Sequence, residues 1–332
     1  LATNFLSVTV DDNDAGACAQ ALWNLYPVLQ AELKNRGMEK LYYEIELPLC
    51  AVLYKMECAG VAIDSVQLKA FGEMLSQRIS DCETLIFGYS GGPFNINSTK
   101  QLGEFLFETL GLPPVKKTKT GYSTNADVLE KLKGKHPIIP AIMDYRMLTK
   151  LKSTYADGLI KEIREDGRIH TTFQNLVTAT GRLSSTEPNL QNIPIRDAIG
   201  RPIREAFIPS REGGLLLSAD YSQVELRLMA HLSGDESLCE AFRKGEDIHA
   251  ATAARLYHKS PEEVTSDERR RAKTANFGII YGISVFGLSQ RLSIPRAEAK
   301  HLIDGYFTTY PAVREYMEKS ISDAKQCGYV TT

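Results

Sequence analysis

Apolar positions recur at helical spacing through much of the 332-residue chain. Between residues 16 and 36, Leu22, Leu25, Leu29 and Leu33 fall on one face, and Pro27 is expected to kink or break the helix they predict. From Glu46 a second helix sets Leu49, Val52, Leu53 and Met56 at i, i+3, i+4 and i+7. Gly60 ends it, and Val61-Ala62-Ile63 follows as a short strand. After a loop from Gly91 to Asn97, Ser98 is placed to cap a helix carrying Leu102, Phe105, Leu106 and Leu110. Between 168 and 217 the period shortens to two. Ile169, Thr171 and Phe173 alternate with polar residues, a loop rich in Ser, Pro and Asn follows, and Leu215-Leu216-Leu217 predicts a strand buried on both faces. Beyond residue 222 the pattern is almost entirely helical.

Composition narrows the class. Hydrophobic residues make up 43% of the chain, ample for a buried core and for two or three domains. No apolar run approaches the ~20 residues of a membrane-spanning helix, and the opening LATNFLSVTV lacks the basic start of a secretory signal. It also lacks an initiator Met, so the N-terminus is expected to be cut from something longer. Six cysteines without a C-x-x-C pair suit reduced cytosolic thiols better than a disulfide framework or a zinc site. The net charge of −2 does not announce a nucleic-acid binder, so that reading must come from local charge. Lys116, Lys117 and Lys119, then Lys131, Lys133 and Lys135, cluster around Pro113-Pro114 and Gly121. They predict an exposed basic loop followed by a short helix, either a phosphate-holding surface or simply a solvated one.

Two runs carry chemistry. In the first, Asp220 stands where the Leu215–Leu217 strand gives way to a helix. A carboxylate at a strand end suits Mg²⁺, which is held by one or two acids together with phosphate oxygens. The alternative is that Asp220 caps the helix that follows. In the second run Arg269, Lys273, Phe277 and Tyr281 are each four residues apart. On a helix they fall within roughly a third of the circumference and span about 18 Å. Two cations, an aromatic ring and a phenol in that order match the outline of a nucleoside triphosphate, with phosphates at the charged end and base against the rings. The plainer alternative is a solvated basic helix start whose Phe and Tyr are core.

Taken together, the motifs resemble those of family A DNA polymerases over essentially the whole chain. Asp220-Tyr221-Ser222-Gln223-Val224-Glu225-Leu226-Arg227 is similar to their motif A, and Arg269-x3-Lys273-x3-Phe277-Gly278-x2-Tyr281-Gly282 to motif B on the fingers helix. The block Thr180 to Pro194 is similar to the loop that grips the primer-template minor groove, and Asp247-Ile248-His249 resembles the fingers histidine motif.

The resemblance implies an α+β right-hand fold. It consists of a remnant of an α/β exonuclease-like domain (1–40), an antiparallel β palm (41–61 and 141–232), a helical thumb (62–140) and helical fingers (233–332). It also implies two Mg²⁺ ions, with Asp220 as catalytic ligand and the Tyr221 carbonyl as a further ligand. Glu225 would exclude a 2′-hydroxyl, with Gln223 supporting the site. His249, Arg269 and Lys273 would bind the triphosphate, and Lys273 would steady or protonate the leaving pyrophosphate. Phe277 would stack on the nucleotide and Tyr281 pack by the sugar and template base. Arg182 would read minor-groove acceptors common to every correct pair, backed by Asn189, Gln191 and Asn192, while Lys116, Lys117 and Lys119 would hold duplex phosphates. Primer-template DNA and dNTPs are the implied partners of a monomeric, cytoplasmic, nucleoid-associated bacterial protein.

Two departures from the family pattern set further expectations. Asp14 aligns with the last metal-binding aspartate of the exonuclease-like domain, but Val10 stands where the proofreading form has tyrosine. Proofreading is therefore not expected. The family's later His-Asp-Glu turn, which supplies the second metal carboxylate, has no counterpart between 283 and 332. Asp304 and Asp323 lie in amphipathic helical sequence, and the polypeptide by itself is expected to be inactive. The rival readings are a phage-type single-subunit RNA polymerase, which Glu225 disfavours, a non-catalytic DNA-binding module, and an exonuclease.

Overall fold

The Ser65–Ser90 helix begins where the Asp64 carboxylate accepts the backbone N–H groups of Val66 and Gln67, and it ends at Gly91, whose φ of 72° only glycine adopts at little cost. It organises the first of two units, Leu1–Leu217 and Ser218–Thr332, in the computed structural model, which describes residues 1–118, 121–194, 198–257 and 259–330. Leu68, Phe71 and Leu75 on this helix pack with Leu148, Leu151, Tyr155, Ile169 and Ile203. Further along it, Ile86 packs with Leu102, Leu106, Leu129, Ile138 and Ile142. Both cores also draw on the Ile138–Leu151 helix, so two long helices act as a shared spine.

Several sequence expectations hold in detail. Ser98 caps Thr99–Glu104 by accepting the Gln101 N–H at 3.4 Å, and Leu102, Phe105 and Leu106 are buried. The second helix, Leu47–Ala59, stops at Gly60 (φ 58°), where a Cβ would come within 2.8 Å of the His170 ring. Val61–Ala62 then pairs antiparallel with Arg168–Ile169. Thr172–Gln174 pairs with Ser184–Thr186, and Lys117–Thr118 with Gly121–Tyr122. The β content among the described strands is thus three two-stranded antiparallel sheets, in a chain that is otherwise mostly helical.

Two expectations are corrected, a break at Pro27 and a strand at Leu215–Leu217. Pro27 does not break its helix, which runs from Ala15 to Asn35 with Asp14 as cap, accepting the Ala17 N–H. Of its apolar stripe Leu25 is buried while Leu22 is 67% exposed. Leu215–Leu217 form no ladder with any described strand, and the three side chains are 92%, 59% and 94% exposed. A strand buried on both faces needs strands beside it and layers above and below it, and the described residues supply neither here.

The second unit is helical. Tyr306 and Tyr310 are fully buried at its centre, among Leu226, Leu238, Ala275, Ile279, Leu288, Leu302 and Val313. Buried Asp235 accepts the Leu238 N–H at 3.0 Å and the Ala312 N–H at 3.3 Å, tying the Glu236–Arg243 helix to Pro311–Cys327. Among the described residues no helix is long and apolar enough to cross a membrane.

Candidate nucleotide-binding face and nucleic-acid loop

The Ser266–Ile280 helix is started by a reciprocal cap. Thr265 Oγ1 accepts the Glu268 N–H at 3.2 Å, and Glu268 Oε2 accepts the Thr265 N–H at 2.9 Å. One face of this helix, with Ala272, Ala275 and Ile279, is core. The other presents the predicted series. Arg269 and Lys273 are exposed, Phe277 is half-buried against the core, and Tyr281, just past the last helical residue, is 63% exposed. The alternative in which both rings are core fails for Tyr281.

Arg269 is not loose. Its Nε donates to Asp247 Oδ2 at 2.7 Å, while Asp247 Oδ1 accepts the N–H groups of His249 and Ala250 at 3.0 and 3.1 Å. Burial works to raise the Asp247 pKa, but these hydrogen bonds, led by Arg269, hold the carboxyl below its ordinary range. His249 itself is only 3% exposed. Its Nδ1 accepts from Asn276 Nδ2 at 3.0 Å, which places its proton on Nε2, and its ring lies 5.6 Å from that of Phe277. Asn276 Nδ2 also donates to Thr252 Oγ1 at 3.2 Å. Burial, reinforced by Lys273 and Arg269 and opposed by Asp247, pushes the His249 pKa down to about 4.

A depressed imidazole pKa has a stability consequence. An unfolded histidine titrates near 6.5, so between that value and about 4 the unfolded chain binds the extra proton. The neutral, buried His249 contributes fully above pH 6.5, and its contribution is lost as the pH falls, by at most about 3 kcal/mol. Thermal unfolding at pH 7.5 and pH 5 is expected to show a smaller acid destabilisation in His249→Gln than in the unsubstituted chain. Equal acid sensitivity in the two would count against a buried neutral imidazole.

Glu225, in the first turn of the Val224–Ser233 helix, accepts a hydrogen bond from the Tyr281 hydroxyl at 3.3 Å. Residues from two helices, 56 positions apart, are thereby coupled at the end of the cationic face. Gln223 occupies the N-cap position in the left-handed conformation (φ 54°) and makes no capping bond, and its Oε1 is buried without a partner among the described residues. Asp220 lies three residues earlier, exposed, and does not cap this helix. The capping alternative for Asp220 is therefore set aside, and Tyr221 beside it is 82% exposed.

In the first unit, the loop similar to the minor-groove grip is held from below. Buried Thr171 and Ser185 share a hydrogen bond of 2.6 Å, and Ser185 Oγ accepts the Leu190 N–H at 3.1 Å. Above them Arg182, Asn189, Gln191 and Asn192 are all exposed. Asn189 Oδ1 accepts the Gln191 N–H at 3.0 Å, Gln191 Nε2 donates to the Leu183 carbonyl at 3.1 Å, and the Tyr155 hydroxyl donates to the Asn192 carbonyl. Lys116 and Lys117 are exposed on the basic hairpin, with Lys117 Nζ 5.4 Å from the centre of the Tyr122 ring. Lys119 lies outside the described residues.

A model of DNA polymerase family A matches residues 65–332. This chain belongs to that family. It is 53% identical to DNA polymerase I of Bacillus subtilis (strain 168) over 318 residues, and 51% identical to DNA polymerase I of Geobacillus stearothermophilus over 315. Those alignments cover 96% and 95% of this chain, but 36% of each relative, so the chain spans about a third of the curated relatives' length. A solved structure of the POL domain of Pol1 from M. smegmatis, in complex with DNA primer-template and dNTP, superposes with a TM-score of 0.90 at 41% identity. It covers all of this chain and 59% of that one. The chain therefore has the α+β fold of a family A polymerase, mostly helical with small antiparallel sheets.

Asp247 and Asn276 were not singled out as site residues of this family A chain from sequence. The available signals were a carboxylate two positions before a helical histidine and an amide inside a helix where its intrinsic propensity is poor.

Proposed function

We propose that this chain forms the triphosphate-binding and duplex-gripping parts of a DNA-directed DNA polymerase, which joins dNMP to a primer 3′-hydroxyl with release of pyrophosphate. One observation carries the reading. The cations Arg269 and Lys273 and the ring of Phe277 lie in series on one helix, which ends at a tyrosine whose hydroxyl is bonded to Glu225. Arg269 and Lys273 bind phosphate, the neutral His249 offers its Nε2–H as a further donor, and Phe277 and Tyr281 take the nucleoside. The Glu225–Tyr281 pair closes the space beside the sugar, a device with no use in an RNA polymerase. In the other unit, Arg182, Asn189, Gln191 and Asn192 face the minor groove, and Lys116 and Lys117 face duplex phosphates, a role the sequence pattern extends to Lys119, so DNA affinity falls steeply with salt. The domain assignment follows the same reading, with the thumb at 62–140, the palm at 41–61 and 141–232, the fingers from 233, and an exonuclease-like remnant over 1–40.

For the metal, the donor set fits one ion. The Asp220 carboxylate and the Tyr221 carbonyl would hold Mg²⁺ together with triphosphate oxygens, the way Mg²⁺ is usually bound. When bound, the ion neutralises phosphate charge. The described residues contain no cluster of three or more His, Cys, Asp or Glu.

The test is template-dependent nucleotide binding. With a dideoxy-terminated primer-template, the templated dNTP is expected to lengthen the lifetime of the complex and the other three not to. Equal effects of all four would leave only a DNA-binding module. Sugar choice provides a second check. Glu225→Ala is expected to narrow the preference for dNTP over NTP by about tenfold, in the range that one polar or steric contact supplies. A preference unchanged within about twofold would remove Glu225 from the sugar pocket.

A further inference from the structure

We infer that Asp247 is a positioning residue for the triphosphate, acting through Arg269 on the nucleotide-binding face proposed above. Both of its oxygens are committed. Oδ1 accepts the two N–H groups that open the Ile248–Tyr257 helix, and Oδ2 accepts Arg269 Nε. A carboxylate gripped by two backbone amides cannot swing, so it is a fixed anchor.

The grip on Arg269 is through Nε, and neither terminal Nη makes a hydrogen bond among the described residues. The guanidinium is thus held at its inner edge while its outer pair of donors is left in solvent, the pair that binds phosphate bidentately. The same carboxylate begins the turn that carries His249, so one side chain sets the spacing between two of the three groups meant for the triphosphate. The opposite role, a decoy anion that occupies Arg269 until nucleotide displaces it, would engage the Nη fork rather than Nε. An aspartate beside a polyanion site is costly unless neutralised, and Arg269 neutralises it. The sign of the Asp247 effect therefore depends on whether Arg269 is present.

That reversal is the test. Equilibrium binding of a Mg²⁺–dNTP to the 332-residue chain would be measured for the unsubstituted protein, Asp247→Asn, Arg269→Ala and the double variant. Asparagine keeps the helix cap, since it accepts the same N–H groups, and removes the charge. Asp247→Asn alone is expected to weaken binding by about five- to tenfold, the scale of one charge-assisted hydrogen bond at a half-exposed site. In the Arg269→Ala background the same change is expected to strengthen binding, because a bare negative charge is removed. Tighter binding by Asp247→Asn alone would establish the decoy and overturn the inference. An equal loss in both backgrounds would also overturn it, by assigning Asp247 to the fold of the His249 turn. If the unsubstituted chain does not bind Mg²⁺–dNTP, or binds it with no loss in Arg269→Ala, the nucleotide-face reading itself falls.

Discussion

Primer extension by the 332-residue polypeptide on its own is expected to be undetectable, although the same polypeptide is expected to bind Mg²⁺–dNTP and primer-template. Phosphoryl transfer in two-metal sites uses ions about 3.5–4 Å apart with acids on both sides. On the proposed reading Asp220 is one such acid. Of the acids toward the C-terminal end, Asp304 is spent on Lys300 at 2.6 Å and Asp323 lies exposed on the Pro311–Cys327 helix. Neither is on a turn beside Asp220 in sequence pattern, and Leu215–Leu217, which should anchor Asp220 in a sheet, are exposed. A site with a single acid keeps substrate binding but lacks charge stabilisation worth several kcal/mol, which is about a thousandfold or more in rate. A polypeptide carrying the His-Asp-Glu turn and the strands to flank Leu215–Leu217, supplied covalently or in trans, is expected to restore extension. Robust extension by a preparation whose mass matches the 332 residues would sink this, and would point to Glu225 as the second ligand.

How much of this was legible in the sequence depends on what kind of signal each element carries. Gly60, Ser98 and the apolar steps at Leu102, Phe105 and Leu106 are local: a cap or a helical face is written within a few residues, and the structure follows it. The Arg269–Tyr281 series is also local, because four-residue spacing on one helix fixes a face without any tertiary information. Leu215–Leu217 failed because a strand is completed by partners remote in sequence, which periodicity cannot supply. Pro27 failed for the opposite reason, since a helix with hydrogen-bonded turns on both sides absorbs one missing donor. The Asp247–Arg269 ion pair, the Asn276–His249 bond and the Tyr281–Glu225 bond span 22, 27 and 56 positions. Each needs packing to bring it together, so the sequence named the chemistry of His249 but not what holds it.

The nucleotide-binding and duplex-binding surfaces proposed above should separate cleanly under substitution. Lys273→Ala is expected to weaken Mg²⁺–dNTP binding by about 10- to 100-fold, the loss of one charged contact to phosphate, while primer-template affinity without nucleotide stays within about twofold. Arg269→Ala should do at least as much harm. It removes a phosphate contact and also leaves Asp247, whose carboxyl that arginine helps to hold below its ordinary range, as an uncompensated negative charge next to the triphosphate. Arg182→Ala should show the reverse pattern, weaker DNA and unchanged binary nucleotide binding, because the loop that carries it is assigned to the duplex minor groove and rests on Thr171 and Ser185. The ordering matters more than any single value. Lys273 lies four residues after Arg269 on the same helix face but has no anionic neighbour bonded to it among the described residues, so its loss exposes none of them. A Lys273→Ala variant that lost DNA and kept nucleotide would place the cationic face against the duplex. Equal losses of both ligands in all three variants would mean that the substitutions act through the fold.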